Sequence, residues 1–238
     1  MTVKSVFPLP RVDDSFVALN GSQWFSTLDL ASGYWQVAMD AGTQEKAAFV
    51  TSSGLYEWTV MPFGLCNAPS TFARLMELVL RGLHWKICLI YLDDVMVMGR
   101  TSEEELERLK EVFERLATAG LKLKPKKCFL FQQRLSYLGH VVTEEGIAAD
   151  PEKVEQVRTW PTPENSTKVK HFLGLASDNR QFVPDFPTIA KLLHKPMEAK
   201  KEFAWTEQCQ LAFDSLKSLL TSGEVLAYLT RGGKVFAR

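Results

Sequence analysis

The order of elements predicts an α+β fold, with helices layered on one face of an antiparallel sheet and a helical region after it. Three observations carry this. Two segments with apolar residues at i, i+3, i+4 and i+7 interrupt short β-rich runs in the first part of the chain. Most of those runs are joined through tight turn residues, as hairpins are. Beyond Thr143 the strand signal gives way to capped helical segments.

In order, "WFSTLDL" (residues 24–30) is a short apolar strand, and Gly33 in "ASGYWQVAMD" marks a turn. "KAAFVTSSGLYEWTVM" gives two strand-like runs around "SSG". Pro69 and Ser70 then begin a helix whose residues Phe72, Leu75, Met76, Val79, Leu80 and Leu83 share one buried face. "KICLIYLDDVMVMG" (residues 86–99) is two β-rich runs meeting at Asp93 and Asp94. The next helix opens with a capping box, Ser102-x-x-Glu105, carries the stripe Leu106, Leu109, Phe113 and Leu116, and ends at Gly120. "LKLKPKKCFLF" and "LSYLGHVV" are further strands. Past "TEEGI", Asp150 and Pro151 start a helix, "STKVKHFLGLASDNRQF" places Val169, Phe172, Leu173 and Ala176 on one face, and "TIAKLLHK" and "TEQCQLAFDSLKSLL" are helix-like. "GEVLAYLTRGGKVFAR" opens like a strand.

Composition narrows the class. With 46% apolar and 24% charged residues the chain is that of a globular protein. No apolar run approaches the roughly 18–20 residues that span a bilayer, and "MTVKSVFPLPR" lacks an apolar signal core, so no membrane partner and an intracellular location are expected. Cys66, Cys88, Cys128 and Cys209 stand apart, without zinc-ligand spacing, and read as buried thiols. Net charge is zero, yet Arg115, Lys122, Lys124, Lys126, Lys127 and Arg134 fall in a stretch without acids. Such a strip is either a solvated face or a phosphate-binding surface.

Asp93 and Asp94 are the anomaly, since an unpaired carboxylate in an apolar run is costly to bury. They fit a hairpin tip, a buried ion pair or a cation site. The cation reading gains a third carboxylate from Asp29, at the end of "FSTLDL". Two Mg²⁺ ions about 4 Å apart, held by carboxylates, suit in-line phosphoryl displacement. Neighbours in a regular strand face opposite ways, which ranks Asp29 and Asp93 above Asp94 as direct ligands.

"FSTLDLASGYWQVAMD", "AFVTSSGLYEWTVMPFGLCNAPSTFARLM", "YLDD", "AGLKLKPKKC", "YLGHVVTEEGI" and "FLGLAS…FVPDF" resemble, in order and spacing, the reverse transcriptases of gypsy-type LTR retrotransposons. The resemblance implies a right-hand polymerase that adds dNTPs to a primer on an RNA or DNA template, using two Mg²⁺ ions or Mn²⁺ in their place. It implies a fingers remnant at residues 1–22, a palm at 23–143, a helical thumb at 144–196 and the start of a connection region at 197–238. By it, Asp29, Asp93 and Asp94 hold the metals, with the backbone of Leu30. Tyr34 packs under the nucleotide's sugar, although without the resemblance core packing is the preferred reading of a lone tyrosine after Gly33. Phe63 stands where retroviral enzymes usually carry Gln and gypsy-type ones Phe. Lys127 matches a lysine proposed as general acid toward pyrophosphate, or is a surface lysine. Tyr137, Leu138, Gly139 and His140 resemble the primer grip, with Lys122, Lys124 and Lys126 as further nucleic-acid contacts. A retroelement particle in the cytoplasm, or the nucleus, is the implied location.

Three departures temper the resemblance. Basic finger strands that clamp the triphosphate are not found upstream of "PLPR", and no ribonuclease H carboxylates follow. Asp178, Asn179, Arg180 and Gln181 replace a usual Tyr-Tyr-Arg-Arg, removing stacking area and positive charge. The alternative expectation is therefore a catalytically impaired, nucleic-acid-binding remnant.

Overall fold

The computed structural model describes residues 4–5, 7, 12–180, 183–194 and 203–221. The strand expected in "GEVLAYLTRGGKVFAR" lies outside them, as does Gln181. The chain forms two compact units, Met1–Gln133 and Arg134–Arg238.

The first unit contains α1 (Val12–Ala18), β1 (Trp24–Asp29), β2 (Phe49–Thr51), β3 (Gly54–Tyr56), α2 (Ala68–Val79), β4 (Cys88–Tyr91), β5 (Asp94–Gly99), α3 (Ser102–Thr118) and β6 (Phe129–Gln132). Strands β4, β5, β1 and β6 form one antiparallel sheet in that order, and β2–β3 is a separate, exposed hairpin. Side chains alternate along a strand. Leu28 of β1, Cys88 and Ile90 of β4, and Val95 and Val97 of β5 therefore share one face, where they pack with Phe72 and Met76 of α2 and Leu109, Val112 and Leu116 of α3. Phe25, Thr27 and Asp29 lie on the opposite face, paired with Met98, Met96 and Asp94. The sheet thus turns its aspartates away from its helices.

Helix α2 buries the expected face through Phe72 and Met76, and Leu80 and Leu83 continue it past the helix end. Helix α3 starts one residue earlier in its cap than the sequence suggests. Thr101, not Ser102, is the N-cap, accepting from Glu104 N at 3.2 Å, while Glu104 reaches back to Arg100 N at 2.7 Å. That register turns Glu105 inward onto the sheet and leaves Leu106 60% exposed, so the buried stripe is Glu105, Leu109, Val112 and Leu116. The other end is as expected. Gly120 takes φ 71°, and Leu121 N donates to Leu116 O at 2.9 Å while both leucines enter the core.

The second unit contains β7 (Arg134–Tyr137), β8 (His140–Thr143), β9 (Gly146–Ala149), α4 (Pro151–Arg158), α5 (Ser166–Asp178), α6 (Phe186–His194) and α7 (Glu207–Thr221). β7, β8 and β9 form a three-stranded antiparallel sheet. β9 escaped notice because "GIAA" carries a single branched residue, Ile147, beside glycine and two alanines, too little to mark a strand; its partner is the free edge of β8. Asp150 caps α4 by accepting from Glu152 N. Val169, Phe172, Leu173 and Ala176 of α5 meet Ala190 and Leu193 of α6 and Cys209, Phe213 and Leu216 of α7 in one core. The break between units precedes β7, because that hairpin pairs within its own unit.

All four cysteines are free; Cys88 and Cys209 are buried as expected, whereas Cys66 is exposed and Cys128 half-buried. Burial, then the nearby Glu111, pushes the Cys88 thiol up to about 12, which keeps it protonated and inert. Among the described residues no helix is long and apolar enough to cross a membrane.

Candidate active site

β4 and β5 are joined through two central residues, Leu92 and Asp93, with Tyr91 and Asp94 as the closing pair. Leu92 carries the left-handed backbone, φ 56°, a conformation that costs a non-glycine residue about 1–2 kcal/mol. Centring the turn on Leu92–Asp93 makes Asp94 the first residue of β5 and sets it directly opposite Asp29. The pairing partner of Asp29 is therefore Asp94, which the sequence had ranked below Asp93. Asp93 occupies the turn itself, where strand alternation no longer separates it from its neighbour.

The three carboxylates feel one another. Asp94 is exposed by area, yet partial shielding raises its carboxyl above the usual range, and Asp93 and then Asp29 raise it further; Lys127 acts in the opposite direction. Lys127 Nζ lies 3.1 Å from Asp29 Oδ2. The Tyr34 hydroxyl is raised by burial and then by Asp93. Among the described residues no three His, Cys, Asp or Glu are grouped closely enough to hold a metal ion as they stand. The donor set is nonetheless all carboxylate oxygen, which suits a hard divalent cation, and the ammonium at Asp29 shows that positive charge is favoured there.

The end of β1 is fixed by backbone. Lys124 N donates to Asp29 O at 2.8 Å, Ala31 N to Lys122 O at 2.9 Å, and the buried Leu30 bridges to Leu123. Gln36 completes the clamp: its Nε2 donates to Ala31 O and Lys122 O, and its Oε1 accepts from Lys122 N at 2.7 Å. Sequence reasoning missed Gln36, whose one signal was an amide inside the otherwise apolar run "YWQVAM".

Gly33 does more than turn the chain. It opens a 3-10 helix, Gly33–Gln36, and a Cβ there would sit 2.7 Å from the Phe72 ring. Tyr34 packs against Phe72 and Phe63, with ring centroids 5.5 and 5.2 Å away. Phe63 is 60% exposed and, with Trp35, Trp58, Pro62 and Leu65, lines a cleft of about 360 Å³. Lys122, Lys124 and Lys126 are exposed.

In the second unit, Leu138 (φ 50°) and Gly139 (φ 76°) are the two left-handed residues of the β7–β8 turn. Tyr137 and His140 flank it and are buried. His140 Nδ1 is 3.0 Å from Leu138 O, and burial lowers its imidazole below the usual value. Lys153 Nζ approaches this turn, 2.7 Å from where a Gly139 Cβ would stand, and pairs with Asp178 at 3.4 Å. Asp178, one of the departures noted above, thus places an acid beside the turn.

Residues 3–142 match the family model described as reverse transcriptase (RNA-dependent DNA polymerase). The chain belongs to the reverse transcriptase family. This reverse transcriptase chain is 38% identical over 228 residues to the retrovirus-related Pol polyprotein from transposon 297 of Drosophila melanogaster, covering 95% of itself and 21% of that protein. It is 34% identical to the corresponding polyprotein from transposon gypsy of the same species, covering 94% of itself and 23% of that protein. It therefore spans about a fifth of the length of these relatives. A foamy viral protease-reverse transcriptase solved with double-stranded DNA superposes with a TM-score of 0.87 at 24% identity, over 97% of this chain and 41% of that one. Another, solved with an RNA/DNA hybrid, gives 0.83 at 24% identity, over 94% and 31%. The α+β polymerase fold is common to all of these structures.

Proposed function

We propose that this chain is the palm and thumb of a retrotransposon reverse transcriptase and adds dNTPs to a primer on an RNA or DNA template. The observation that carries this is the register of Asp94 opposite Asp29, with Asp93 in the adjoining turn, on the sheet face away from the helices. Residues 23–143 are read as palm, 144–196 as thumb, and the residues before and after as parts of the fingers and connection.

Asp29, Asp93 and Asp94 would hold divalent ions, Mg²⁺ in our reading, with Mn²⁺ as a substitute. Bound there, the ions supply positive charge to the attacking and leaving oxygens of a phosphoryl transfer. The chain's own groups position the substrate. Tyr34, held against Phe63 and Phe72, offers a ring face to the sugar of an incoming nucleotide. Phe63 offers apolar area beside it. Lys127 Nζ carries a proton at the edge of the aspartate cluster, where a leaving pyrophosphate would need one. Leu138 and Gly139 present backbone at a tight turn, suited to close approach by a primer end, and exposed Lys122, Lys124 and Lys126 suit phosphates.

Primer extension on oligo(rA) with Mg²⁺ and dTTP, wild type beside Asp93→Asn, tests the reading. Extension by wild type that the substitution abolishes supports it; extension that survives removes Asp93 from the metal site.

A nucleic-acid-binding remnant is the second reading, and Asp178 favours it by pairing with Lys153 beside the β7–β8 turn. It predicts no extension by either protein, with primer-template binding that weakens steeply as salt rises.

A further inference from the structure

We propose that Lys127 is a built-in counter-cation, which occupies Asp29 in the metal-free protein and leaves it when a divalent ion binds. The inference rests on reading Asp29, Asp93 and Asp94 as the metal site.

Asp94 stands opposite Asp29 and Asp93 occupies the adjoining turn, so three like charges meet at one hairpin tip and need neutralising when no metal is present. Lys127 is the cation the fold supplies, 3.1 Å from Asp29 Oδ2. Its backbone is held in place. It ends the 3-10 helix Pro125–Lys127, whose start is tied to β1 by Lys124 N donating to Asp29 O, and Lys127 N donates to Lys124 O at 2.9 Å. Cys128 Sγ adds contacts to Lys124 O and Asp29 O.

The side chain is not held in the same way. It is 58% exposed, and among the described residues it pairs with the carboxylate it neutralises and no other. A fixed backbone with a free four-carbon stem lets the ammonium leave Asp29 without moving the strand. A doubly charged ion reaching the aspartates would outcompete the single charge. The released ammonium would then be free beside the site, so that proton donation becomes available only after metal has bound.

Mn²⁺ binding to the whole chain, followed through the electron paramagnetic resonance signal of free Mn²⁺, tests this with no turnover involved. Lys127→Gln should bind about three- to fivefold more tightly than wild type, since a partly exposed ion pair no longer competes. Lys126→Gln removes an equal, neighbouring charge that makes no pair with Asp29, and should leave the affinity within about twofold. In wild type, the Lys127 ammonium signal in ¹⁵N NMR should shift on Mg²⁺ addition as its hydrogen bond to Asp29 is lost.

Equal tightening in both lysine variants would mean that charge alone, not occupancy of Asp29, sets the affinity, and would overturn the proposal. So would unchanged affinity in Lys127→Gln, or a Lys127 signal indifferent to Mg²⁺ that wild type binds. If folded wild type and Lys127→Gln both fail to bind Mn²⁺ at millimolar concentration, the metal-site reading falls and takes the proposal with it.

Discussion

The first unit keeps carboxylates on both faces of one sheet, and the two sets are built oppositely. On the face away from the helices, Asp29, Asp93 and Asp94 gather at a hairpin tip, mutually repelling and answered by one lysine. On the helix face, Glu105 is fully buried between α3 and β1. Its Oε1 accepts from Ser26 Oγ at 2.5 Å, Ser26 Oγ accepts in turn from Phe131 N at 3.0 Å, and its Oε2 has no partner among the described residues. Burial raises the Glu105 carboxyl to about 7, the Ser26 bond and Arg108 opposing. One set is displayed at a cost in repulsion and the other hidden at a cost in desolvation. Displayed charge is what a cation can use; hidden charge that titrates near neutrality serves the packing of α3 on the sheet.

That contrast breaks if the two sets respond alike to substitution. The largest expected effect is at the tip: Asp94→Asn should slow primer extension at least about a hundredfold while leaving unfolding by urea unchanged or slightly harder. Loss of fold in that variant would mean the tip is structural.

At the hidden end the order reverses. Because the folded Glu105 holds its proton more tightly than the usual 4.5, its contribution is full below about pH 4.5 and is lost as pH rises through about 7. Glu105→Gln should therefore match wild type in acid and exceed it by roughly 2–3 kcal/mol above pH 7, measured as unfolding free energy across that window. Extension activity should not change. A flat difference across pH would remove the buried acid from the account.

Gly99→Ala sharpens the same end. A Cβ there would lie 2.7 Å from Glu105 N, which is helix backbone that cannot give way cheaply, so a loss of about 2 kcal/mol in unfolding free energy is expected. Gly33→Ala probes the displayed end more gently, since its Cβ meets the Phe72 ring. About 1 kcal/mol of stability and a severalfold loss of extension, through displacement of Tyr34, should follow.

How far these ends could be read from sequence differs for a physical reason. Local signals were legible: the Asp150 cap, the Gly120 stop, the Phe72–Met76 face and the apolar strands on either side of Asp93 and Asp94 all act within a few residues. The proximity of Asp29 to the Asp93–Asp94 pair was legible because a cation site demands several carboxylates, and the family resemblance aligned them. Glu105 was read as a cap, since its burial depends on Ser26, 79 residues away, and on a one-residue shift of the α3 start. Gln36 was invisible for the same reason, its partner Lys122 being 86 residues distant. The pairing of Asp29 with Asp94 rather than Asp93 turned on where the hairpin places its two central residues, which adjacent apolar runs do not specify.

If the displayed carboxylates, and not the hidden one, bind divalent cations, the folded state gains stability from Mg²⁺ through the displayed set alone. Unfolding free energy measured by urea at pH 7.5 against rising Mg²⁺ tests it directly, because a ligand bound only by the native state adds stability with concentration. Stability should rise with Mg²⁺ in wild type and in Glu105→Gln alike and stay flat in Asp94→Asn. The same rise in Asp94→Asn, or a rise lost in Glu105→Gln, would contradict the account.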